Sequence, residues 1–311
     1  GMDIYVLLCI PGFVLAGNLM NAGGITPRII SFAQAGVGWM RGGLGMTNVA
    51  SSMLFGGISG TAVADAASIG GMMIPGMKRA GYPADFSAAV TSASSTIGPI
   101  IPPSVPMIIV GALSGISVGK MFIAGIIPGL LLGVGMLIIT YILSVRRNYP
   151  RHPWQGWFHL WQTFLGAFWA LAMTALIVGG MVSGFATPTE TSIVAAVYAI
   201  VVGNLVYREL PLKKVPGLLI DSAVSAAAIL LLVGTANVFG WILVSEHIPQ
   251  MIADAVLSLT TNKYLVILLL NIVLIFVGMF METIAALIIL FIPLLTVAQG
   301  VGIDPIHFAV F

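Results

Sequence analysis

From Phe86 to Gly119 the chain carries no charged side chain, yet the middle of that run reads GPIIPPSVP (98–106), with four prolines. A membrane-spanning helix takes about 20 apolar residues, so the run is long enough to cross a bilayer. Proline removes a backbone donor and clashes with the preceding turn. Two adjacent prolines plus two more exceed an ordinary kink, so the span is expected to be broken. Unwound backbone at membrane depth is tolerated only where it is buried in protein or lines a wet cavity. The segment therefore requires a folded, multi-span protein around it.

The rest of the chain supplies that protein. Of its 311 residues, 59% are hydrophobic and 7% charged, against about 45–50% and about 25% in soluble domains. Apolar stretches fall at 4–22, 43–57, 60–77, 84–118, 121–145, 160–183, 188–206, 218–244, 264–281 and 283–299. The fold class is all-α and polytopic in a lipid bilayer. A β-barrel would show short alternating strands, and none is visible. The single Cys9 excludes an internal disulfide. A net charge of +2 without a basic tract gives no reason to expect nucleic acid. The chain opens on Gly1 with no visible signal peptide and stops at Phe311 within an apolar stretch. It reads as part of a longer protein.

The cations orient the spans. Arg146, Arg147 and Arg151 form one cluster, and Arg208, Lys213 and Lys214 another. Two spans separate them, so both face the same side, which the positive-inside rule makes cytoplasmic. Segments 43–57 and 60–77 are short and meet at GGISG (56–60), flanked by Arg41 and Lys78. A re-entrant hairpin that enters and leaves on the cytoplasmic side keeps both cations inside. Lys120 and Lys263 then remain outside.

A faint repeat follows. ITPRIISFAQAGVG (25–38) is echoed by HIPQMIADAVLSLT (247–260), and GYPADF (81–86) by GIDPIHF (302–308). Each unit reads as span, amphipathic arm, glycine-tipped hairpin and further span; the second tip is GMFME (278–282). Three spans between the units invert the second copy. The expected organisation is a first repeat at 1–120, connecting spans at 121–217 and a second, inverted repeat at 218–311. Inverted repeats with broken helices point to a secondary transporter with its site near the midplane.

Within GGISGTAVAD (56–65) the tip offers Gly60, Ser59 and Thr61. Carbonyls and hydroxyls are the hard oxygen ligands a small cation prefers. A helix starting after Gly60 presents its N-terminal end to an anionic group. Close helix packing by small residues is the plainer alternative. The break at 98–106 frees carbonyls and adds the Ser104 hydroxyl. TSASSTIG (91–98) reads first as small-residue helix packing, with Ser95 and Thr96 the members best placed to reach the cavity. Asp65 and Glu282 are the acids nearest the two tips. A charge at the centre of a span costs about 2.5–3.5 kcal/mol, so each is protonated, paired or functional. TPTE (187–190) has a structural explanation, a capping box opening the 188–206 helix. His152 and His159 lie among Trp154, Trp157 and Trp161 without metal-ligand spacing, as an interfacial belt would place them. GISG (57–60) also matches a motif of intramembrane serine proteases. There the serine needs a histidine base within reach, and His307 is the one candidate.

IPGFVLAGNLMNAGGITPRI, GGISGTAVADAASIG, GYPADFSAAVTSASSTIGPIIPPSVPMII, GIIPGLL, GFATPTET and VGIDPIHF together resemble the large membrane subunit of TRAP transporters. That resemblance covers the whole chain. It implies an elevator-type, Na⁺-coupled importer of an organic acid in the bacterial inner membrane. It also implies a small membrane partner subunit of the Q type and a periplasmic substrate-binding protein. By match, Ser59, Gly60, Gly98, Pro99 and Pro102 form a Na⁺ site, mainly through carbonyls. Ser59, Ser104 and Glu282 carry substrate contacts by the same match; the residues' own chemistry adds Thr61 as a substrate contact and Asp65, Ser95 and Thr96 as coupling candidates. Family members often have serine at the position of Thr61 and aspartate at that of Glu282. Two other readings stay open at this level, a one-component Na⁺/dicarboxylate symporter and a rhomboid-like protease.

Overall fold

The computed structural model describes residues 5–260 and 262–311. Ile4, at the expected start of the first span, lies outside them. All regular elements among the described residues are helical. The chain begins with a short 3₁₀ turn, Tyr5–Leu8, that runs into α1 (Cys9–Ala22). At Gly23–Gly24 it bends by 71° into α2 (Ile25–Val37). Helices α3 (Gly43–Ser59) and α4 (Ala62–Arg79) form the expected hairpin. The proline-rich run is broken, with α5 (Ala84–Ser95) before it and α6 (Val105–Ser114) after it. Three long helices follow: α7 (Val118–Arg146), α8 (Trp157–Val182) and α9 (Pro188–Val201), the last extended by a π turn to Val206. Then come α10 (Val215–Ser245), α11 (Ile248–Leu259), α12 (Lys263–Gly278), α13 (Thr283–Gly300) and α14 (Pro305–Val310). Among the described residues five helices are long and apolar enough to cross a membrane, and the bent α1–α2 pair passes the same test when taken together.

Helix α1 is the buried axis of the first half. Cys9, Ile10, Phe13, Ala16, Leu19 and Met20 are all covered, mostly by α9 and α10. At Gly12 a Cβ would lie 2.3 Å from Ser192 Oγ, so only glycine permits this approach of α1 to α9. Asn18 Nδ2 donates to Ser222 Oγ at 2.8 Å and ties α1 to α10. The capping box at 187–190 forms as expected. Glu190 N donates to Thr187 Oγ1 (3.3 Å), and Thr187 N donates to Glu190 Oε2 (2.8 Å). Helix α7 runs about 43 Å at 1.5 Å per residue, with Ile127, Leu131 and Ile139 on its exposed apolar flank.

The amphipathic arm α2 stretches between the two basic clusters. At its start, Arg28 pairs with Glu209 (2.7 Å) and stacks over Tyr207 (4.0 Å). Beyond its end, Arg151 Nε donates to Trp39 O (3.3 Å) and Gly42 N donates to Pro150 O (3.1 Å). The far end of the hairpin arrives at the same place. Tyr82, just after α4, packs against Tyr149 with ring centroids 4.6 Å apart, and Arg147 lies over Phe86 at 5.6 Å. Both ends of the α3–α4 hairpin are thus gathered on the side of the 146–151 arginines, as the cation pattern requires.

Candidate functional site

Four helix ends converge where the hairpin tip enters the break. Helix α3 ends at Ser59 because Gly60 takes the left-handed conformation (φ +63°) and returns its N–H to Gly56 O at 3.2 Å. Helix α4 starts from Thr61, whose hydroxyl accepts from Ala64 N at 3.3 Å. Helix α5 ends at Ser95. Residues 96–103 form turns that include a cis peptide between Pro102 and Pro103. Helix α6 starts from Ser104, which accepts from Met107 N (3.2 Å) and donates to Pro99 O.

The tip and the break interlock through backbone. Val105 N donates to Gly60 O at 3.2 Å. A Cβ on Gly60 would lie 2.5 Å from Pro103 O, one on Gly56 3.0 Å from Gly98 Cα, and one on Gly98 3.2 Å from Thr61 O. The carbonyls of Gly98 and Pro102 accept no hydrogen bond among the described residues. Two helix C-termini, rich in carbonyl density, and two N-termini, rich in free N–H groups, therefore meet in one small volume. C-terminal ends favour cations and N-terminal ends anions.

Asp65 adds the only charge there. It sits in the first turn of α4, fully buried, and neither carboxylate oxygen has a hydrogen-bond partner among the described residues. The hydroxyls of Ser95 and Ser52 lie beside it without closing a hydrogen bond of normal geometry. Ser95 donates instead to Thr91 O at 2.8 Å. The seam between α3 and α5 continues as a buried polar ladder. Ser52 and Ser94 share a 3.0 Å bond, and Asn48 Nδ2 donates to Thr91 Oγ1 at 2.7 Å.

The structure therefore brings together Ser59, Gly60, Thr61, Asp65, Ser95, Gly98, Pro99, Pro102 and Ser104. It separates two expected members. Thr96 turns outward, is exposed and donates to Ala93 O at 2.7 Å. Glu282 is an exposed N-cap of α13, accepting from Ile284 N (2.9 Å) and Ala285 N (3.2 Å). One carboxylate oxygen, Oε2, accepts both of these orphan helix donors, and no hydrogen bond among the described residues joins Glu282 to the first tip. Ser59 Oγ donates to Thr61 O at 3.4 Å rather than to a histidine, so no protease dyad is formed at that serine.

Thr174 of α8 was not foreseen from the sequence. Its hydroxyl donates to Gly57 O at 2.6 Å. A Cβ on Gly57 would come within 2.9 Å of Thr174 Cγ2 and 3.4 Å of Pro102 O. A hydroxyl in the middle of an apolar span was the only available signal, and Thr163 of the same helix shares it. Asn48 and Ser52 were more visible, being polar residues in an arm at membrane depth.

Over residues 1–311 the chain matches the family model of the tripartite ATP-independent periplasmic transporter, DctM component. The chain belongs to this family. It is similar to the sialic acid TRAP transporter large permease SiaM of Vibrio cholerae, 42% identical over 310 residues, covering 100% of this chain and 73% of the relative. The C4-dicarboxylate TRAP transporter large permease DctM of Pseudomonas aeruginosa is 40% identical over 306 residues, 98% of this chain and 72% of its own. The 2,3-diketo-L-gulonate TRAP transporter large permease YiaN of Escherichia coli is 37% identical over 310 residues, 100% and 73%. As a DctM component the chain is a membrane transport permease and not an enzyme. It is a multi-pass protein of the bacterial inner membrane.

Proposed function

We propose that this chain is the large permease subunit of a Na⁺-coupled importer of a small organic acid. The observation that carries the reading is the buried, unpartnered carboxylate of Asp65 beside the interlocked tip and break. The donors there are oxygens alone: the carbonyls of Gly60, Gly98, Pro99 and Pro102, the hydroxyl of Ser59 and the Asp65 carboxylate. Such a set suits a hard cation. Na⁺ as co-substrate would balance the buried charge. The N-terminal ends of α4 and α6, with Ser59, Thr61 and Ser104, would face the carboxylate of the acid. Filling both positions couples them, because each neutralises the field the other meets.

The order span, arm, hairpin and following helix occurs twice, in α1–α6 and in α10–α14. Helix α13 of the second hairpin packs against α6. This arrangement supports repeats at 1–120 and 218–311 joined by connecting spans at 121–217, with the hairpins and broken helices moving as one transport body. The relatives' names favour carboxylates and sugar acids as the substrate class. Acid delivery by a periplasmic binding protein and a small Q-type membrane subunit complete the assembly.

The test is uptake by the full-length permease and its small subunit in liposomes under an imposed Na⁺ gradient. Labelled sialic acid, a C4-dicarboxylate and a keto sugar acid are offered, each with and without the purified binding protein. Uptake that needs both the gradient and the binding protein is expected. Uptake without the binding protein indicates a one-component symporter instead, and uptake indifferent to Na⁺ removes the coupling.

A further inference from the structure

The corner where α2 ends against the α7–α8 connection is a built cleft that the transport site does not use. A cavity of about 110 Å³ opens there, lined by Gln34, Gly38, Trp39, His152, Trp154 and Gln155. Its walls are fixed from both sides. Trp39 Nε1 donates to Gly36 O (2.9 Å), while its carbonyl accepts from Arg151 Nε (3.3 Å). The rings of Trp39 and Trp154 meet edge to face at 5.9 Å, and Trp154 packs on Trp157 at 5.7 Å. Arg41, Arg146 and Arg151 belong to the two chain segments that meet at this corner; they are exposed, they do not line the cavity itself, and none forms a salt bridge among the described residues. Besides its tryptophans, the lining carries the side-chain donors of two glutamines and a histidine, and no acid lines it.

We propose that this corner binds the headgroup of an anionic phospholipid of the cytoplasmic leaflet. Tryptophans settle at the headgroup level of a bilayer, and basic pockets on the cytoplasmic side recognise anionic headgroups. The second basic cluster, Arg208, Lys213 and Lys214, serves the positive-inside rule equally well but has no tryptophan near it in sequence. Topology alone therefore does not account for a cleft at the first cluster. A free anion would leave the exposed faces of Trp154, Trp157 and Phe158 unused, whereas a lipid lays its glycerol and upper chains on them. The bound headgroup would clamp the arm to the α7–α8 connection and so brace the hairpin root at Gly42.

The test uses the full-length permease with its small subunit in neutral detergent, read by thermal unfolding during titration with phosphatidylglycerol. Phosphatidylcholine and inorganic phosphate are the parallel arms. Phosphatidylglycerol alone is expected to stabilise the complex. Apparent affinity should weaken by about fivefold for each arginine removed. Arg151→Gln also loses the bond to Trp39 O, so Arg41→Gln with Arg146→Gln, whose side chains hold no hydrogen bond among the described residues, is the deciding pair. Lys213→Gln with Lys214→Gln is expected to leave the titration unchanged. Equal stabilisation by phosphatidylcholine, reproduction of the shift by phosphate, no shift at all, or equal weakening by the lysine pair would each overturn the proposal.

Discussion

The amide of Val105 donates to the carbonyl of Gly60 at 3.2 Å. This bond joins the tip of the re-entrant hairpin to the first residue of the helix after the break. It consumes an orphan donor at the start of α6 and an orphan acceptor at the end of α3, groups that lipid could not satisfy. The hairpin and the broken helix thereby complete each other and form one unit at membrane depth.

Gly60→Ala should disable that unit. A left-handed conformation costs a non-glycine residue about 1–2 kcal/mol, and the new Cβ would press on Pro103 O at 2.5 Å. Uptake should be lost and thermal stability should fall. Gly36→Ala, where a Cβ meets nothing within 4 Å, is the matched control and should transport normally. Comparable uptake by the two variants would remove the strained tip from the mechanism.

Ser104→Ala removes both the cap on Met107 N and the donor to Pro99 O. A lost N-cap costs about 1 kcal/mol. The melting temperature should drop modestly and uptake should fall markedly, with Ser104→Thr restoring most of both. An unchanged rate and Na⁺ dependence in the alanine variant would take Ser104 out of the cavity.

Asp65→Asn should separate stability from coupling. An unpaired buried charge is costly, so in Na⁺-free buffer the asparagine protein should be at least as stable as the parent. The Na⁺ concentration for half-maximal uptake should nevertheless rise. Thermal melts with and without Na⁺, alongside Na⁺ titrations of uptake, check the pair. Loss of stability without any change in Na⁺ dependence would make Asp65 an anchor of α4 only.

Thr174→Val keeps the shape of the side chain and deletes its bond to Gly57 O. About 1 kcal/mol of stability should go with it. Thr174→Ser should retain the bond. Thermal unfolding of the three proteins side by side is sufficient, and equal melting temperatures for valine and threonine would show the bond adds nothing.

Glu282→Gln should be nearly silent for transport. The exposed carboxylate only caps α13, and losing a cap costs about 0.5–2 kcal/mol. A changed substrate preference in uptake competition assays would return Glu282 to the binding site.

Much of the fold was legible because membrane insertion is a local property of composition. Every apolar stretch read from the chain became a helix within a few residues of its expected ends, and the 98–106 prolines broke theirs. The capping box at 187–190 was legible for the same reason, since its partners are three residues apart. The site was legible only in outline. Ser59, Thr61 and Ser104 look alike in sequence to Thr96 and to the hydroxyls of the α3–α5 seam. Which of them turn inward depends on helix phase and on the neighbour each face meets. Glu282 sits at a tip just as Ser59 does, yet it ends as an exposed cap of α13.

The sequence by itself determined that this chain spans a membrane with most of its cations on one side, and that its most proline-rich span is broken. Those outcomes follow from hydrocarbon length, charge transfer cost and the missing proline donor, all local terms. Only the tertiary structure decided that the break receives the Gly60 tip, that Thr174 caps Gly57, and that Asp65 is sealed without a partner. The first two join residues far apart in the chain, and it is the cost of leaving backbone groups unsatisfied in lipid that selects which distant elements meet; the sealing of Asp65 follows from where that packing leaves it.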